Sequence, residues 1–98
     1  MTDAQHLEAY SAEAADLLAA MGNQKRMMIL CILADGEMQV GALAEKVDLS
    51  QSALSQHLAK LRSRNLVRTR REAQAIYYSI CSQPVRQMLK TLTDIYCR

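Results

Sequence analysis

The spacing of apolar residues changes abruptly after Asn65, and this change limits the folds open to a chain of 98 residues. Before Asn65, apolar residues recur every three or four positions, as they do in helices that bury one face. After it, segments 66–71 and 75–80 are rich in Val, Thr, Ile and Tyr, and the tripeptide Glu-Ala-Gln joins them. Such residues favour strands, so the pattern predicts a β-hairpin that follows a run of helices.

Helices are predicted on both sides of this hairpin. They span about residues 3–21, 24–34, 41–47 and 51–64, and a last helix begins at Gln83-Pro84. The second helix contains the run "MMILCIL" and is apolar nearly all round, so we expect it to be the central and most buried helix. The predicted fold class is mainly α with a small β-hairpin, a winged helix-turn-helix in the order α-α-α-α-β-β-α. Residues 1–98 are expected to form a single domain.

The core has to be aliphatic, because the sequence contains no Phe and no Trp although 50% of its residues are hydrophobic. The first and last helices carry apolar stripes that a monomer of this size does not easily cover. These stripes consist of Leu7, Tyr10, Ala14, Leu17, Leu18 and Met21 in the first helix and of Val85, Met88, Leu92 and Ile95 in the last. We therefore predict a homodimer built from the terminal helices.

The location of the protein is predicted from the absence of export signals. No apolar run approaches the roughly 18 residues of a membrane span, and the N-terminus lacks the basic and apolar regions of a signal peptide. The protein is therefore expected to be cytoplasmic and reduced. Its three cysteines, Cys31, Cys81 and Cys97, are odd in number and lack the spacing of a metal knuckle, which disfavours a static disulfide scaffold.

Positive charge is concentrated in the segment "LSQSALSQHLAKLRSRNLVRTRR" (residues 49–71), which holds six cations and no acid although the chain's net charge is only +2. The segment begins with uncharged polar residues, and its cations start at Lys60. Ser and Gln side chains read base edges, whereas Arg and Lys hold phosphates. A solvated charged face would not need this order, so the sequence predicts a protein that binds double-stranded DNA.

The helix over residues 51–64 is expected to be the recognition helix. Leu54, Leu58 and Leu61 fall in one sector and should face the core, which leaves a polar face for the major groove. The hairpin would lie over the flanking backbone, and because its residues alternate in direction, one of its arginines can instead lie on a packed face. The candidate DNA-binding residues are Ser50, Gln51, Ser52, Ser55, Gln56, His57, Lys60, Arg62, Arg68, Arg70 and Arg71.

Two stretches of this sequence resemble a known family. "LSQSALSQHLAKLR" and "NLVRTRREAQAIYYSI" are similar to the ArsR/SmtB family of winged-helix repressors, and "SQSALSQHL" is the most specific part of the match. The resemblance covers about residues 14–97 and is closest to the subgroup that contains thiol-based sensors of oxidants and persulfides together with a nodulation repressor. It implies a homodimer whose first and last helices form the interface and which binds an inverted repeat in a promoter.

The metal sites of the family are not expected in this chain. The arsenic and cadmium sensors carry a cysteine pair before the recognition helix, where this chain reads "VGALAEKVDLS". The zinc and nickel sensors use Asp and His on the last helix, which here offers Asp94 and no His. His57 is expected to face DNA or to pack between helices instead of binding metal. The sequence therefore predicts no metal ion and no cofactor.

Two cysteines match positions of the thiol-based sensors. In those proteins one cysteine lies in "ILC" of the second helix and another in "YC" of the last, and this chain has "MILCIL" and "DIYC". The resemblance implies that Cys31 and Cys97 form a redox or persulfide switch and lie close together, whereas Cys81 is incidental. We expect an exposed Cys97 to react first and a buried Cys31 to resolve the product.

Other interpretations stay open at this level. Without the resemblance, Cys31 would be a small core residue and Cys97 an unused thiol, and the protein would be a repressor without a thiol switch. A winged-helix module that binds protein is a further alternative, although the Ser and Gln face disfavours it. An enzyme is not expected, because the sequence has no Cys-His-Asp set and no Gly-rich phosphate loop.

Overall fold

Residues 3–97, which the computed structural model describes, form five helices and a small antiparallel sheet. The helices are α1 (Ala4–Met21), α2 (Gln24–Ala34), α3 (Val40–Val47), α4 (Gln51–Ser63) and α5 (Gln83–Tyr96). The strands are β1 (Met38–Gln39), β2 (Val67–Glu72) and β3 (Ala75–Ile80). The order of elements is the predicted one with β1 added, so the fold class of helices with a small hairpin is confirmed.

Short polar side chains set the starts of four helices. Asp3, Asn23, Ser50 and Ser82 precede α1, α2, α4 and α5, and each side chain accepts a hydrogen bond from the backbone N–H three residues further on. Such a cap satisfies a donor that the first turn of a helix leaves free and contributes about 1 kcal/mol. The left-handed backbone of Asp48 (φ 56°) ends α3, so that α4 can begin at Gln51 after a very short link.

The sheet has the order β1-β3-β2, with the hairpin β2–β3 extended by a third strand. β1 contributes only two residues, which pair with Tyr77 and Tyr78 of β3. The sequence prediction missed β1, because two residues cannot show the alternation of apolar and polar side chains that reveals a strand. The pairing makes β3 the central strand and ties the hairpin to the segment between α2 and α3.

The core is aliphatic, as predicted, and α2 lies at its centre. Helix α2 contacts α1, α3, α4, α5 and β3. The predicted stripe of α4 is confirmed, because Leu54, Leu58 and Leu61 are all at most 1% exposed. The core consists of Ala20, Met21, Ile29, Leu30, Leu33, Leu43, Ala44, Val47, Leu54, Leu58, Leu61, Leu66, Val67, Ile80, Val85 and Leu89.

Burial in α2 is one-sided, which contradicts one prediction. Ile29, Leu30 and Leu33 are completely buried, but Cys31 is exposed. The prediction of a buried Cys31 was therefore wrong. The apolar composition of α2 does not reveal that the C-terminal end of α5 leaves a cleft over this face of the helix.

Large apolar side chains remain exposed on the two terminal helices. Leu7 (43%), Tyr10 (39%) and Leu18 (53%) lie on α1, and Ile95 (53%) and Tyr96 (79%) lie on α5. All but Tyr96 belong to the predicted apolar stripes. Exposed large apolar side chains that form a patch on a protein surface commonly mark a site of protein–protein contact.

None of the helices within residues 3–97 has, on its own, the length and apolarity needed to cross a membrane. Helices α1 and α2 meet that criterion only when they are taken together, and they are bent by 92° relative to each other.

Candidate DNA-binding surface and thiol cleft

Helix α4 presents a polar face to solvent, because its leucine stripe is turned into the core. The predicted contact residues Ser50, Gln51, Ser52, Ser55, Gln56, Lys60 and Arg62 are all exposed. The hydroxyl of Ser50 already accepts a hydrogen bond from the N–H of Ala53 (3.1 Å), so Ser50 also holds the first turn of the helix. This face therefore combines uncharged hydrogen-bonding groups in its first half with cations in its last turns.

His57 lies elsewhere, half-buried against the junction of α1 and α2. Its Nδ1 is 3.4 Å from Nη1 of Arg26, whose guanidinium also donates to the carbonyl oxygens of Ala20 (2.6 Å) and Ala19 (3.4 Å). Burial lowers the pKa of His57, and the charges of Arg26 and Lys60 lower it further. Of the two roles predicted for His57, this position favours helix packing.

The three arginines of β2 differ in their surroundings. Arg70 forms a two-point ion pair with Glu37 (3.1 and 2.5 Å), donates to Glu72 (3.2 Å) and lies over the ring of Tyr77 at 4.6 Å from its centroid. The side chains of Arg68 and Arg71 are exposed, and neither guanidinium forms a hydrogen bond or ion pair with any of residues 3–97. The hairpin thus offers two arginines to a polyanion, while the third is engaged within the protein.

Tyr78 joins the polar face of α4 to the hairpin, and the sequence interpretation did not name it as a site residue. A shallow depression of about 440 Å³ lies beside Tyr78 and is lined by Ser55, Ala59, Arg62 and Ser63 of α4. In the sequence, the tyrosines of β3 indicated a strand and nothing more. Which of them lies next to α4 depends on tertiary packing. The signal available in the sequence was the alternation that puts Tyr78 and Ile80 on one face of β3.

The last turns of α4 are also tied to α1. Arg64, directly after the helix, donates to Asp16 at 3.3 Å, and both side chains are more than one third exposed. An exposed ion pair of this kind contributes little to stability. Arg64 was not among the predicted contacts.

Cys31 and Cys97 line one cleft between α2 and the end of α5. The cleft has a volume of about 400 Å³ and is completed by Met27, Leu89, Leu92, Thr93 and Tyr96. The backbone N–H of Cys97 donates to the carbonyl oxygen of Thr93 at 2.8 Å, which fixes Cys97 at the C-terminal end of α5. The structure therefore brings together the two thiols that lie 66 positions apart in the sequence.

The two thiols interact electrostatically across this cleft. Partial burial raises the pKa of Cys31 above its ordinary value, and negative charge on Cys97 and on Asp35 raises it further. Cys31 is consequently a weaker nucleophile at neutral pH than an ordinary thiol, because the thiolate is the reactive form.

Cys81 lies outside the cleft, between β3 and α5. Its thiol donates to the carbonyl oxygen of Asn65 at 3.3 Å. Within residues 3–97, no three side chains of His, Cys, Asp or Glu are grouped so that they could hold a metal ion.

Comparison with known proteins identifies the family of the chain. The profile described as "Bacterial regulatory protein, arsR family" matches residues 23–69. The transcriptional activator HlyU of Vibrio cholerae is 50% identical over 94 residues, which cover 96% of this chain and 87% of HlyU. The chain belongs to the ArsR family. The nodulation protein NolR of Rhizobium meliloti is a further relative, 63% identical over 83 residues that cover 85% of this chain and 68% of NolR.

Solved structures of similar proteins share the fold. Reduced HlyU from Vibrio cholerae superposes with a TM-score of 0.91, at 50% identity, over 96% of this chain and 99% of that chain. The homodimeric winged helix-turn-helix DNA-binding domain of Mb0332 from Mycobacterium bovis superposes with a TM-score of 0.80, at 29% identity, over 97% of this chain and 86% of that chain. The predicted winged helix-turn-helix is therefore confirmed.

Membership in the ArsR family also decides the broad class of function. The family consists of regulatory proteins that carry a DNA-binding winged helix, and HlyU is a transcriptional regulator. The prediction of a DNA-binding regulator is confirmed at this level, as is the prediction that the protein is not an enzyme.

Proposed function

We propose that this ArsR-family protein is a homodimeric regulator that binds an inverted-repeat operator and whose operator affinity is switched by oxidation or persulfidation of Cys31 and Cys97. The observation that carries the switch is the shared cleft: two thiols distant in sequence line one opening between α2 and α5. The exposed polar face of α4, with the hairpin beside it, supports the DNA-binding half of the proposal.

Base readout is assigned to the first half of α4 and phosphate contact to its last turns and to the hairpin. Gln56 and Ser52 are exposed opposite the leucine stripe, in the position from which a recognition helix reaches base edges. Lys60, Arg62, Arg68 and Arg71 follow as exposed cations that would neutralise phosphates and make binding dependent on salt.

Assembly as a homodimer is supported by the exposed apolar side chains of α1 and α5. The M. bovis relative is homodimeric, and covering Leu18 and Ile95 by the same helices of a second copy would remove large apolar surfaces from water. A two-fold dimer places two recognition helices about 34–36 Å apart, one turn of DNA, which is why an inverted repeat is the matching operator.

The thiol reaction requires two steps. The Cys97 thiolate attacks a peroxide oxygen and displaces hydroxide, or it attacks the sulfane sulfur of a persulfide and displaces a thiolate. The Cys31 thiolate then attacks the Cys97 sulfur, and hydroxide or hydrosulfide leaves as the disulfide forms. If two persulfide molecules have added two sulfur atoms to Cys97, attack on the inner added sulfur releases hydrosulfide and leaves one sulfur atom in the bridge. The raised pKa of Cys31 leaves little of it as thiolate at neutral pH, which suits it to the second step. A direct disulfide needs Cα atoms within about 7 Å, and additional sulfur atoms in the bridge relax that limit.

A bridge in this cleft would act both on the proposed dimer interface and on the helices of the core. It would draw the end of α5, part of the proposed interface, towards α2, which in turn contacts α4 in the core. A shift of this kind changes the distance between the two recognition helices. Coupling between two such sites typically amounts to about 1–3 kcal/mol, or roughly 5- to 150-fold in operator affinity.

The test is DNA binding by the reduced protein and by protein treated with a persulfide donor or with peroxide, with intact mass measured each time. Cys31→Ser and Cys97→Ser should bind the operator when reduced and should not respond to either reagent. Cys81→Ser is the matched control and should behave as the unaltered protein does. Release of DNA by treated Cys97→Ser protein would show that the two-thiol switch is wrong and leave a regulator without one.

A further inference from the structure

The first turn of α2 breaks the usual charge rule for helices. Anionic side chains stabilise the start of a helix and cations its end, yet this turn carries Lys25 and Arg26 and no acid. Both cations bind the ends of other helices. The Nζ of Lys25 donates to the carbonyl oxygen of Val47 at 2.6 Å, and the guanidinium of Arg26 donates to the carbonyl oxygens of Ala20 and Ala19. The start of α2 therefore holds the ends of α3 and α1.

Arg26 supplies the end of α1 with a cation that this helix lacks. The last four carbonyl groups of a helix have no N–H partner within it, and the last turn of α1 carries no basic residue. Ala20 and Ala19 lie in that turn, and Arg26 donates to them at 2.6 and 3.4 Å. The Nη1 of the same guanidinium lies 3.4 Å from the Nδ1 of His57. One side chain thus connects α1, α2 and the recognition helix α4.

The contact between Arg26 and His57 requires a neutral imidazole. A guanidinium carries only donors and keeps its charge throughout the physiological range of pH, so the ring nitrogen that faces it has to accept. Nδ1 accepts a hydrogen bond only while it carries no proton. Uptake of a proton turns Nδ1 into a donor and places a second positive charge beside Arg26, so that attraction is replaced by repulsion.

The charged groups that act on His57 within residues 3–97 are cations. Burial lowers its pKa, and the charges of Arg26 on α2 and of Lys60 on α4 lower it further. Helix α1 contributes carbonyl oxygens, and the acid nearest to them in sequence, Asp16, is bound by Arg64 at 3.3 Å. The contact is therefore complete at neutral pH and is lost as the pH drops below about 6.5, the ordinary pKa of histidine, towards the lowered pKa.

We propose that Arg26 and His57 form a positioning contact that fixes the recognition helix against the end of α1, and that operator affinity falls when His57 takes up a proton. Since α1 belongs to the proposed dimer interface, this contact sets the position of each recognition helix relative to the two-fold axis. The proposal rests on the base readout by α4 and on the homodimer proposed above. It adds a response to acid in which the thiols take no part.

The opposite response to acid is expected if His57 itself faces DNA. An imidazolium beside a phosphate would gain an ion pair, so acid would strengthen binding and steepen its dependence on salt. In the positioning role, a proton has to leave each copy of His57 before the operator is bound. Each such proton lowers the affinity about 10-fold per pH unit below the pKa, which gives up to about 100-fold for the two copies in a dimer.

The experiment measures the DNA affinity of the reduced, full-length protein by fluorescence anisotropy, from about pH 7.5 to about pH 5. The operator probe is a duplex that the unaltered protein enriches from a randomised pool at the upper pH, and a random duplex is measured beside it. Affinity for the enriched duplex should fall by about 10-fold or more over this range, while affinity for the random duplex should not fall. Operator binding that strengthens in acid, or that stays constant, would overturn the proposal.

Replacement of single histidines identifies the group that takes up the proton, since the chain contains only two. His57→Asn offers an amide oxygen close to the place of Nδ1 and does not titrate, so its affinity should be independent of pH over this range. His6→Asn is the matched control, because His6 is exposed at the opposite end of α1 from Ala20 and should not affect the loss in acid. A loss of equal size in His57→Asn would show that the positioning role is wrong.

Two further measurements separate positioning from a general effect on stability. Arg26→Gln removes one cause of the lowered pKa of His57, so the midpoint of the ring's NMR titration and the midpoint of the affinity loss should both move to higher pH. A shift of only one of these midpoints would contradict the proposal. Circular dichroism should show an unchanged helical signal at each pH. If operator binding and helical signal are lost together, acid unfolds the domain and the positioning role is wrong.

Selectivity at neutral pH separates this proposal from the function on which it rests. If the protein prefers the enriched duplex to random DNA and His57→Asn still loses affinity in acid, the positioning role is wrong and operator binding stands. If no duplex is enriched at neutral pH, base readout by α4 is itself wrong and the positioning role falls with it.

Discussion

Arg70 should contribute almost nothing to the salt dependence of DNA binding, although it lies in the middle of the basic hairpin. Its guanidinium is already bound by Glu37 and Glu72 and lies over Tyr77. Neutralising one phosphate changes the slope of log affinity against log salt by about 0.9. Because a dimer engages two hairpins, an arginine that contacts phosphate should contribute about 1.8 to that slope. Between about 50 and 200 mM salt this corresponds to roughly 12-fold in affinity.

The assay is fluorescence anisotropy of a labelled operator duplex over that range of salt. Arg68→Gln and Arg71→Gln should each lower the slope by up to about 1.8. The double variant Arg70→Gln with Glu37→Gln removes the ion pair without changing net charge and should leave the slope unchanged. Glu37→Gln alone weakens the hold on Arg70 and should make the slope steeper.

A fall in slope for the double variant equal to that of Arg68→Gln would refute the reasoning, because it would show Arg70 on a phosphate. An unchanged slope in both Arg68→Gln and Arg71→Gln would refute the wider assignment of the hairpin to the DNA backbone.

Three further outcomes are expected. Gln56→Ala should weaken operator binding by about 1–3 kcal/mol and have little effect on binding to random DNA. The control Gln87→Ala, on α5, should change the affinity for neither duplex. Equal loss of affinity for both duplexes in Gln56→Ala would exclude base readout by Gln56. Light scattering at micromolar concentration should give a dimer mass for the unaltered protein and a monomer mass for Leu18→Glu, and a monomer in both cases would contradict the proposed interface. Because the pKa of His57 is lowered in the folded protein, the unfolded chain binds a proton at His57 more readily than the folded protein does. The free energy of unfolding should therefore fall as the pH drops from about 6.5, the ordinary pKa of histidine, towards the lowered pKa. His57→Gln should flatten that part of the pH dependence in urea unfolding, and an identical profile would show that another group is responsible.

The parts of the structure that follow local periodicity could be predicted from the sequence. Leu54, Leu58 and Leu61 repeat at helical spacing, and that spacing alone places them in the core and Gln56 outside. The caps Asn23 and Ser50 likewise depend only on residues within one turn.

The parts that depend on distant residues could not be predicted in this way. The pairing of Arg70 with Glu37 joins positions 33 apart through the sheet, and no local pattern contains it. The exposure of Cys31 depends on where α5 ends above α2, so an apolar run suggested burial where the structure has a cleft. The proximity of Cys31 and Cys97 was expected only because two short strings resembled those of known sensors.

The double attachment of the β2–β3 hairpin has a consequence for how DNA is captured. A hairpin joined to a domain only through its own two ends bends in solution and loses that freedom when it binds, which costs free energy. Here β1 pairs with strand β3 of the hairpin, and Glu37, directly before β1, forms an ion pair with Arg70 on strand β2. The hairpin is thereby braced against the core before any DNA arrives, and most of the entropy of ordering it is lost during folding. Association should then resemble the docking of a rigid body, with a rate governed by electrostatic attraction and orientation.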